Sequence, residues 1–177
     1  MLFTRGLVAV AAAAALVTLG GPAHGAAGGA GAPGGGAGTL DGYGLGRPPP
    51  RLGPHVSDFA YEWGGVAFRS RVWESGPDPS GGYRVDFTVA VLRGERQRDP
   101  AALRTFMAGY LERPAGSWRE RAFTGRPGFT GADDAFFLDR PGVAVYARLE
   151  RPGADRRDLL EFMEGVRPDV ESPGARV

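Results

Sequence analysis

The chain has 177 residues, no cysteine, and 21 basic against 20 acidic residues, for a formal net charge of +1. Without cysteine there is no thiolate nucleophile, no thiolate-bound zinc, no disulfide and no lipid-bearing thiol. Every basic residue is Arg, so Schiff-base and phosphate-loop lysines are excluded too.

Asn and Ile are also missing, the imprint of a coding sequence rich in G and C. Residues 1–25 read as a secretory signal peptide: Arg5 in a short first region, an uncharged run from Leu7 to Leu19, and small residues at Ala23 and Gly25 before Ala26. The run is shorter than the roughly 20 apolar residues of a membrane span. No paired arginines precede it, so the general export route is expected. The protein is expected to be secreted or associated with the cell surface after cleavage, with no stable membrane insertion; an uncleaved anchor is the alternative. Removal of Arg5 leaves 20 Arg against 20 acids, without the concentrated positive excess of a nucleic-acid binder, and no nucleic-acid partner is expected.

Residues 26–53 hold 11 Gly and 4 Pro. So little bulky apolar surface cannot offset the entropy of ordering, which predicts a disordered, Gly- and Pro-rich leader. A single folded domain is expected over residues 54–168, and a flexible tail over 169–177. Val66–Glu74 places Val66, Phe68 and Val72 on one face and Ala67, Arg69, Arg71 and Trp73 on the other. After the turn-rich SGPDPSGG, Tyr83–Leu92 alternates again, with Tyr83, Val85, Phe87, Val89 and Val91 sharing a face, so the two runs predict a strand hairpin.

Asp99 suits an N-cap and Pro100 the first helical position. Leu103, Phe106, Met107, Tyr110 and Leu111 then recur at helical spacing until Pro114 bars continuation. Ser117–Thr124 is expected to be a third strand, followed by a turn at Gly125–Gly128. Ala135–Leu138 and Val143–Leu149 are expected to pair across a loop longer than a tight turn, since Pro141 suits position i+2 of a type I turn badly. A second helix starts near Asp155 with Leu159, Leu160, Phe162, Met163 and Val166 as its stripe, and Gly165 suits a left-handed C′ position.

Aligning Asp99 with Asp155 also aligns Leu103 with Leu159, Phe106 with Phe162 and Met107 with Met163. Two hairpin-plus-helix repeats would produce this match, and so would independent selection of one packing pattern. The fold expected is α+β: an antiparallel sheet of about five strands with both helices on one face.

Catalytic signals are sparse. His55 is the sole histidine after signal cleavage, and no G-x-S-x-G elbow accompanies it. Asp133 and Asp134 are the best calcium candidates, yet two carboxylates fall short of the six to eight oxygens usual for calcium, so they read as solvated loop acids and no metal or cofactor is expected. Glu62, Glu74, Asp86 and Glu120 are candidates for a carboxylate-dependent hydrolase on one sheet face. Tyr61, Trp63, Trp73, Tyr83 and Trp118 are candidates for a platform facing sugars or cell-wall polymers. Trp73 shares its face with Arg69 and Arg71, which makes these three, with Asp133 and Asp134, the candidate binding residues.

The run FFLDRPGVAVYARL followed by DLLEFMEGV resembles secreted proteins of GC-rich Gram-positive bacteria that carry a strand-strand-helix module without an assigned activity. The resemblance covers about Gly125–Val166 and implies a location rather than a reaction. The function expected is a non-enzymatic exported domain that binds a protein partner or a cell-envelope component. A small carboxylate-dependent hydrolase and a hydrophobic-ligand carrier are the alternatives.

Overall fold

The computed structural model describes residues 38–169. In chain order the elements are β1 (Thr39–Leu40), β2 (Tyr43–Gly44), β3 (His55–Trp63), β4 (Val66–Ser75), β5 (Arg84–Arg93), α1 (Pro100–Tyr110), β6 (Arg119–Glu120), β7 (Gly128–Thr130), β8 (Asp134–Arg140), β9 (Val143–Leu149), α2 (Arg156–Gly165) and β10 (Arg167–Pro168). Seven strands form one antiparallel sheet in the order β3-β4-β5-β9-β8-β7-β6, and β1, β2 and β10 form a small second sheet. The class is α+β as expected. Of the two strands beyond the expected five in the large sheet, β3 is the consequential one because it forms an edge.

Turn chemistry sets the registers. Between β3 and β4 the two-residue loop Gly64-Gly65 has φ of 58° and 79°, the paired left-handed geometry of a type I′ hairpin. Trp63 pairs with Val66 across it. Between β4 and β5 the Asp78 carboxylate accepts hydrogen bonds from the Ser80 and Gly82 amides at 2.8 and 2.9 Å, an Asx-type organisation of the loop. The β8–β9 connection is tight rather than long. Arg140 pairs with Val143, so Pro141 falls at i+1 and Gly142, at φ 82°, at i+2, the placement of a type II turn. The strand runs two residues beyond the expected end, and that shift removes the objection to proline.

The helices begin as their caps predict. Asp99 accepts from the Ala102 amide at 2.7 Å and Asp155 from the Arg157 amide at 2.8 Å. They lie on opposite faces of the sheet, not on one. Leu103, Phe106 and Met107 of α1 pack with Val66, Phe68, Ala90, Leu92, Ala144 and Tyr146. Leu159, Phe162 and Met163 of α2 pack with the other side chains of the same strands, including Val89, Val91, Val145 and Ala147. Central strands β5 and β9 are therefore buried on both faces, and alternation names only half of their core.

This placement removes the repeat. β5 and β9 are antiparallel neighbours, with Val91 opposite Val145. The twofold axis that exchanges neighbouring antiparallel strands stands normal to the sheet and carries each face onto itself. Related units would share a helix face; these do not.

Residues 38–53, expected within the leader, are part of the fold. Tyr43 is 1 % exposed and Leu40 7 %, both in the core beneath α2, with Leu45 and Leu52 against it. The Tyr43 hydroxyl donates to Asp139 at 2.7 Å. Burial first, and then this bond, push its pKa up to about 12. Gly46 crosses α2 at Gly165. A Cβ on Gly46 would lie 2.2 Å from the Phe162 carbonyl oxygen, and one on Gly165 would lie 2.7 Å from the Gly46 Cα. Gly165 is thus the last helical residue, selected for close approach and not for a left-handed C′ conformation. The predicted signal peptide, the leader before Gly38 and the tail after Asp169 lie outside the described residues.

Candidate interaction surface

Trp73 and its two arginines share a face as the alternation predicts, but Trp73 is not on the surface. It is 7 % exposed and its ring lies 5.4 Å from that of Phe87, its partner across β4 and β5. The residues from β1 and β2 cover this face, so the expected patch loses its aromatic member. Arg71 is held by Asp58 of β3 through two bonds of 2.7 Å. Arg69 is exposed beside a shallow cleft of about 250 Å³ shared with Asp58, Ala60 and Asp41.

Asp133 and Asp134 also depart from expectation: they form an ion cluster instead of a solvated loop. Asp134 is fully buried, with the Trp118 indole N–H donating to one oxygen at 2.9 Å and Arg113 to the other at 3.1 Å. Arg113 also binds Asp133 at 2.9 and 3.2 Å, and Arg148 lies 3.5 Å from Asp133. Burial raises the Asp134 pKa above its ordinary value, against the lowering effect of Trp118 and Arg113. Burial acts on Asp133 in the same direction, but the Arg113 bonds outweigh it and hold that carboxyl below the usual range. Hydrogen-bonded by the Arg113 guanidinium and the Trp118 indole, with Arg148 as a further ion-pair partner, the two carboxylates tie the segment after α1 to the start of β8. Among the described residues no group of three His, Asp or Glu side chains is placed to hold a metal ion.

The other acids do not converge. Glu62 lies on edge strand β3 and Glu120 on β6 at the opposite edge, about 29 Å apart across six strand spacings of about 4.8 Å. Asp86 is fully buried and taken up by the Gly53 amide, the Ser75 hydroxyl and Arg84. His55 bonds the Gly76 carbonyl at 3.1 Å and meets Tyr83 edge to face. Tyr83, expected in the core, is 53 % exposed. It precedes β5, and the register shift between Trp73 and Glu74 releases that end of the hairpin from the alternation.

The strand missed by the periodicity is the one that presents a surface. β3 pairs with β4 alone over nine residues, and its other edge is free among the described residues. In a two-residue hairpin the closing pair, Trp63 and Val66, exchanges hydrogen bonds, and antiparallel pairs alternate from there. Ser57, Phe59, Tyr61 and Trp63 therefore turn their amides and carbonyls to β4, whereas Val56, Asp58, Ala60 and Glu62 turn theirs outward. None of these outward groups bonds elsewhere among the described residues.

Along this edge Phe59 is 51 % exposed, Tyr61 41 % and Trp63 40 %, all on the α1 face. Two of them are held in place. Tyr61 stacks on Phe68 at 4.8 Å and shares a 2.8 Å hydrogen bond with the Tyr110 hydroxyl, and Trp63 sits edge-on to Phe106 and Tyr110 at 5.3 and 5.4 Å. Burial and the Tyr110 bond raise the Tyr61 pKa, so its hydroxyl stays protonated at neutral pH. Exposed aromatics fixed before contact lose little side-chain entropy when covered.

A second, larger cleft of about 960 Å³ opens between the start of α1 and the β6–β7 connection, lined by Asp99, Arg104, Glu120 and Phe129 among others. Its Arg104 is already bonded to the carbonyls of Ala115 and Trp118 at 2.6 and 2.9 Å. No helix among the described residues is long and apolar enough to cross a membrane. No protein family, curated protein or solved structure matches the chain.

Proposed function

We propose that the protein is an exported, non-enzymatic binding domain that takes up an extended polypeptide along β3 by strand addition. The observation that carries this reading is the free edge itself: nine residues long, with four outward amide–carbonyl pairs and a row of half-exposed aromatics, of which Tyr61 and Trp63 are held by α1. Sheet edges of this length are ordinarily blunted by Lys, Pro or a bulge. β3 contains no Pro, its charges are the two acids Asp58 and Glu62, and the one register shift in its neighbour faces β5. Backbone bonds would supply affinity, and Phe59, Tyr61 and Trp63 would read alternate side chains of the added strand. The signal-like residues 1–25 favour a location outside the cell, where the partner is a secreted or envelope protein.

Amide exchange tests this. In dilute protein the amides of Val56, Asp58, Ala60 and Glu62 exchange fast, while those of Phe59 and Tyr61 between them are protected by β4. Linear peptides selected from a random displayed library against the domain are expected to protect the four outward amides. Ligands that protect the α1 cleft and leave these four unchanged refute the reading.

A further inference from the structure

Resting on that reading of β3, we infer that the strand it accepts is β3 of a second copy, antiparallel about a twofold axis through Phe59. Registers centred on Ser57, Asp58, Phe59, Ala60 or Tyr61 all keep outward groups facing one another, and centring on Asp58 sets the two Asp58 carboxylates opposite each other. Centring on Ala60 sets Asp58 opposite Glu62 of the other copy, and directly opposed like charges destabilise a pair. Centring on Tyr61 runs Asp58 and Val56 off the end of the partner strand, opposite Gly64 and Val66, and centring on Ser57 runs Ala60 and Glu62 off its other end. Phe59 is the midpoint of His55–Trp63, and only there does every residue of one strand meet a residue of the other. The outward amides and carbonyls of Val56, Asp58, Ala60 and Glu62 are then all paired.

Charge favours the same register. On the face away from α1, Asp58 lies beside Arg71 and Ala60 beside Arg69 in adjacent strands. Placing Ala60 opposite Asp58 of the second copy produces a row of Arg69, Ala60, Asp58 and Arg71, with only a methyl group between Arg69 and the incoming carboxylate. Arg69 is exposed and makes no side-chain bond of its own among the described residues, so the second copy supplies what it lacks. On the other face the two Phe59 rings, each 51 % exposed and with no ring partner among the described residues, become a directly opposed pair flanked by Tyr61. Val56, also 51 % exposed, comes under the stem of Glu62. The joined sheet ends at both sides on β6, a strand of two residues, so the association closes at two copies instead of growing.

The native chain has no cysteine, which makes a single-cysteine test clean. In the full-length chain carrying Phe59→Cys, the two thiols face each other at a non-hydrogen-bonded pair. Oxidative cross-linking is expected to be roughly tenfold faster than for Ser57→Cys or Tyr61→Cys, because only position 59 matches the short Cβ separation of a disulfide. Sedimentation equilibrium of the unmodified chain should show a dimer that Phe59→Arg and Ala60→Pro each reduce to monomer, with thermal midpoints unchanged when all three are compared at dilutions where the unmodified chain is also monomeric. Proline is tolerated at Ala60 because that amide faces outward. Fastest cross-linking from position 61 overturns the register. A monomer whose outward amides are protected by peptides leaves the edge reading intact and makes another protein the occupant. A monomer whose outward amides are already protected by residues 1–37 of its own chain overturns the second copy equally. Insensitivity of both peptide binding and association to Ala60→Pro removes the edge reading itself.

Discussion

Replacing Trp73 with Ala separates a surface tryptophan from a core one. The ring is 7 % exposed and packed on Phe87 within the cluster that also holds Phe162 and Met163. Truncating a buried tryptophan to Ala costs about 3–5 kcal/mol. With an unfolding entropy near 2.1 cal/mol/K per residue over about 130 ordered residues, each kcal/mol moves the midpoint by about 3.6 °C. The expected loss is therefore about 11–18 °C, read by circular dichroism or scanning calorimetry at neutral pH. The companion variant Arg69→Ala removes an exposed side chain from the same strand face and should stay within about 0.5 kcal/mol, less than 2 °C. Peptide binding at β3 should survive Trp73→Ala below its midpoint. A drop of only 2 or 3 °C (about 1 kcal/mol or less) would show that β1 and β2 do not cover this face and would restore Trp73 to the surface.

The acid pair titrates with opposite signs. Asp134 has a folded pKa raised by burial, so its contribution is full below the ordinary carboxylate range and declines as pH rises through the folded value. Asp133 has a lowered one, so its contribution is present above the ordinary value and is lost as pH falls through the folded value. Urea unfolding at acid and neutral pH should show Asp133→Asn most damaging at neutral pH and converging on the parent in acid. Asp134→Asn should gain relative to the parent as pH rises; a constant difference for both would refute the assignment. Gly46→Ala forces a Cβ against the Phe162 carbonyl and should cost about 1–3 kcal/mol. Gly44→Ala, whose Cβ meets nothing nearer than 3.9 Å, serves as its control. Equal midpoints for the two would mean that α2 is not pinned there. Tyr43→Phe removes the 2.7 Å bond to Asp139 and should cost about 1 kcal/mol in denaturant unfolding.

Local signals located both helices to within a residue at their N-termini, because Asp99 and Asp155 bond the amides that their sequence context advertises. The faces were illegible for a physical reason. Period two identifies Val89 and Val91 as core only by assuming that Ala90 and Leu92 are not, yet the run VAVL is apolar on both sides. A strand buried on both faces loses its alternation, and that loss is itself the signal for helices above and below the sheet. The residues of 38–53 failed differently. Composition weighs a segment by its average, whereas Leu40 and Tyr43 are buried individually, Leu45 and Leu52 pack against the same cluster, and glycine permits the approach.

The site was hard to read for a related reason. A search for chemistry asks which side chains converge, and here the acids that converge, Asp133 and Asp134, are consumed by Arg113 in holding α1 to the sheet. Among the described residues, what is left unspent belongs to the backbone: four outward amides and four carbonyls along β3. One signal for them was present in EWGGVAF, where two glycines between apolar runs specify a type I′ hairpin and hence a strand before Val66. Once that strand is drawn, Phe59, Tyr61 and Trp63 fall on one face without further assumption. The Arg113 cluster and the β3 edge are mechanically linked, since both ends of the link lie on the same short stretch of chain. Tyr110 at the end of α1 bonds Tyr61, and Arg113 three residues later bonds Asp133 and Asp134. The ion cluster thus fixes the end of the helix whose tyrosine orients the aromatic row, so Arg113→Ala should weaken binding at β3 without touching it.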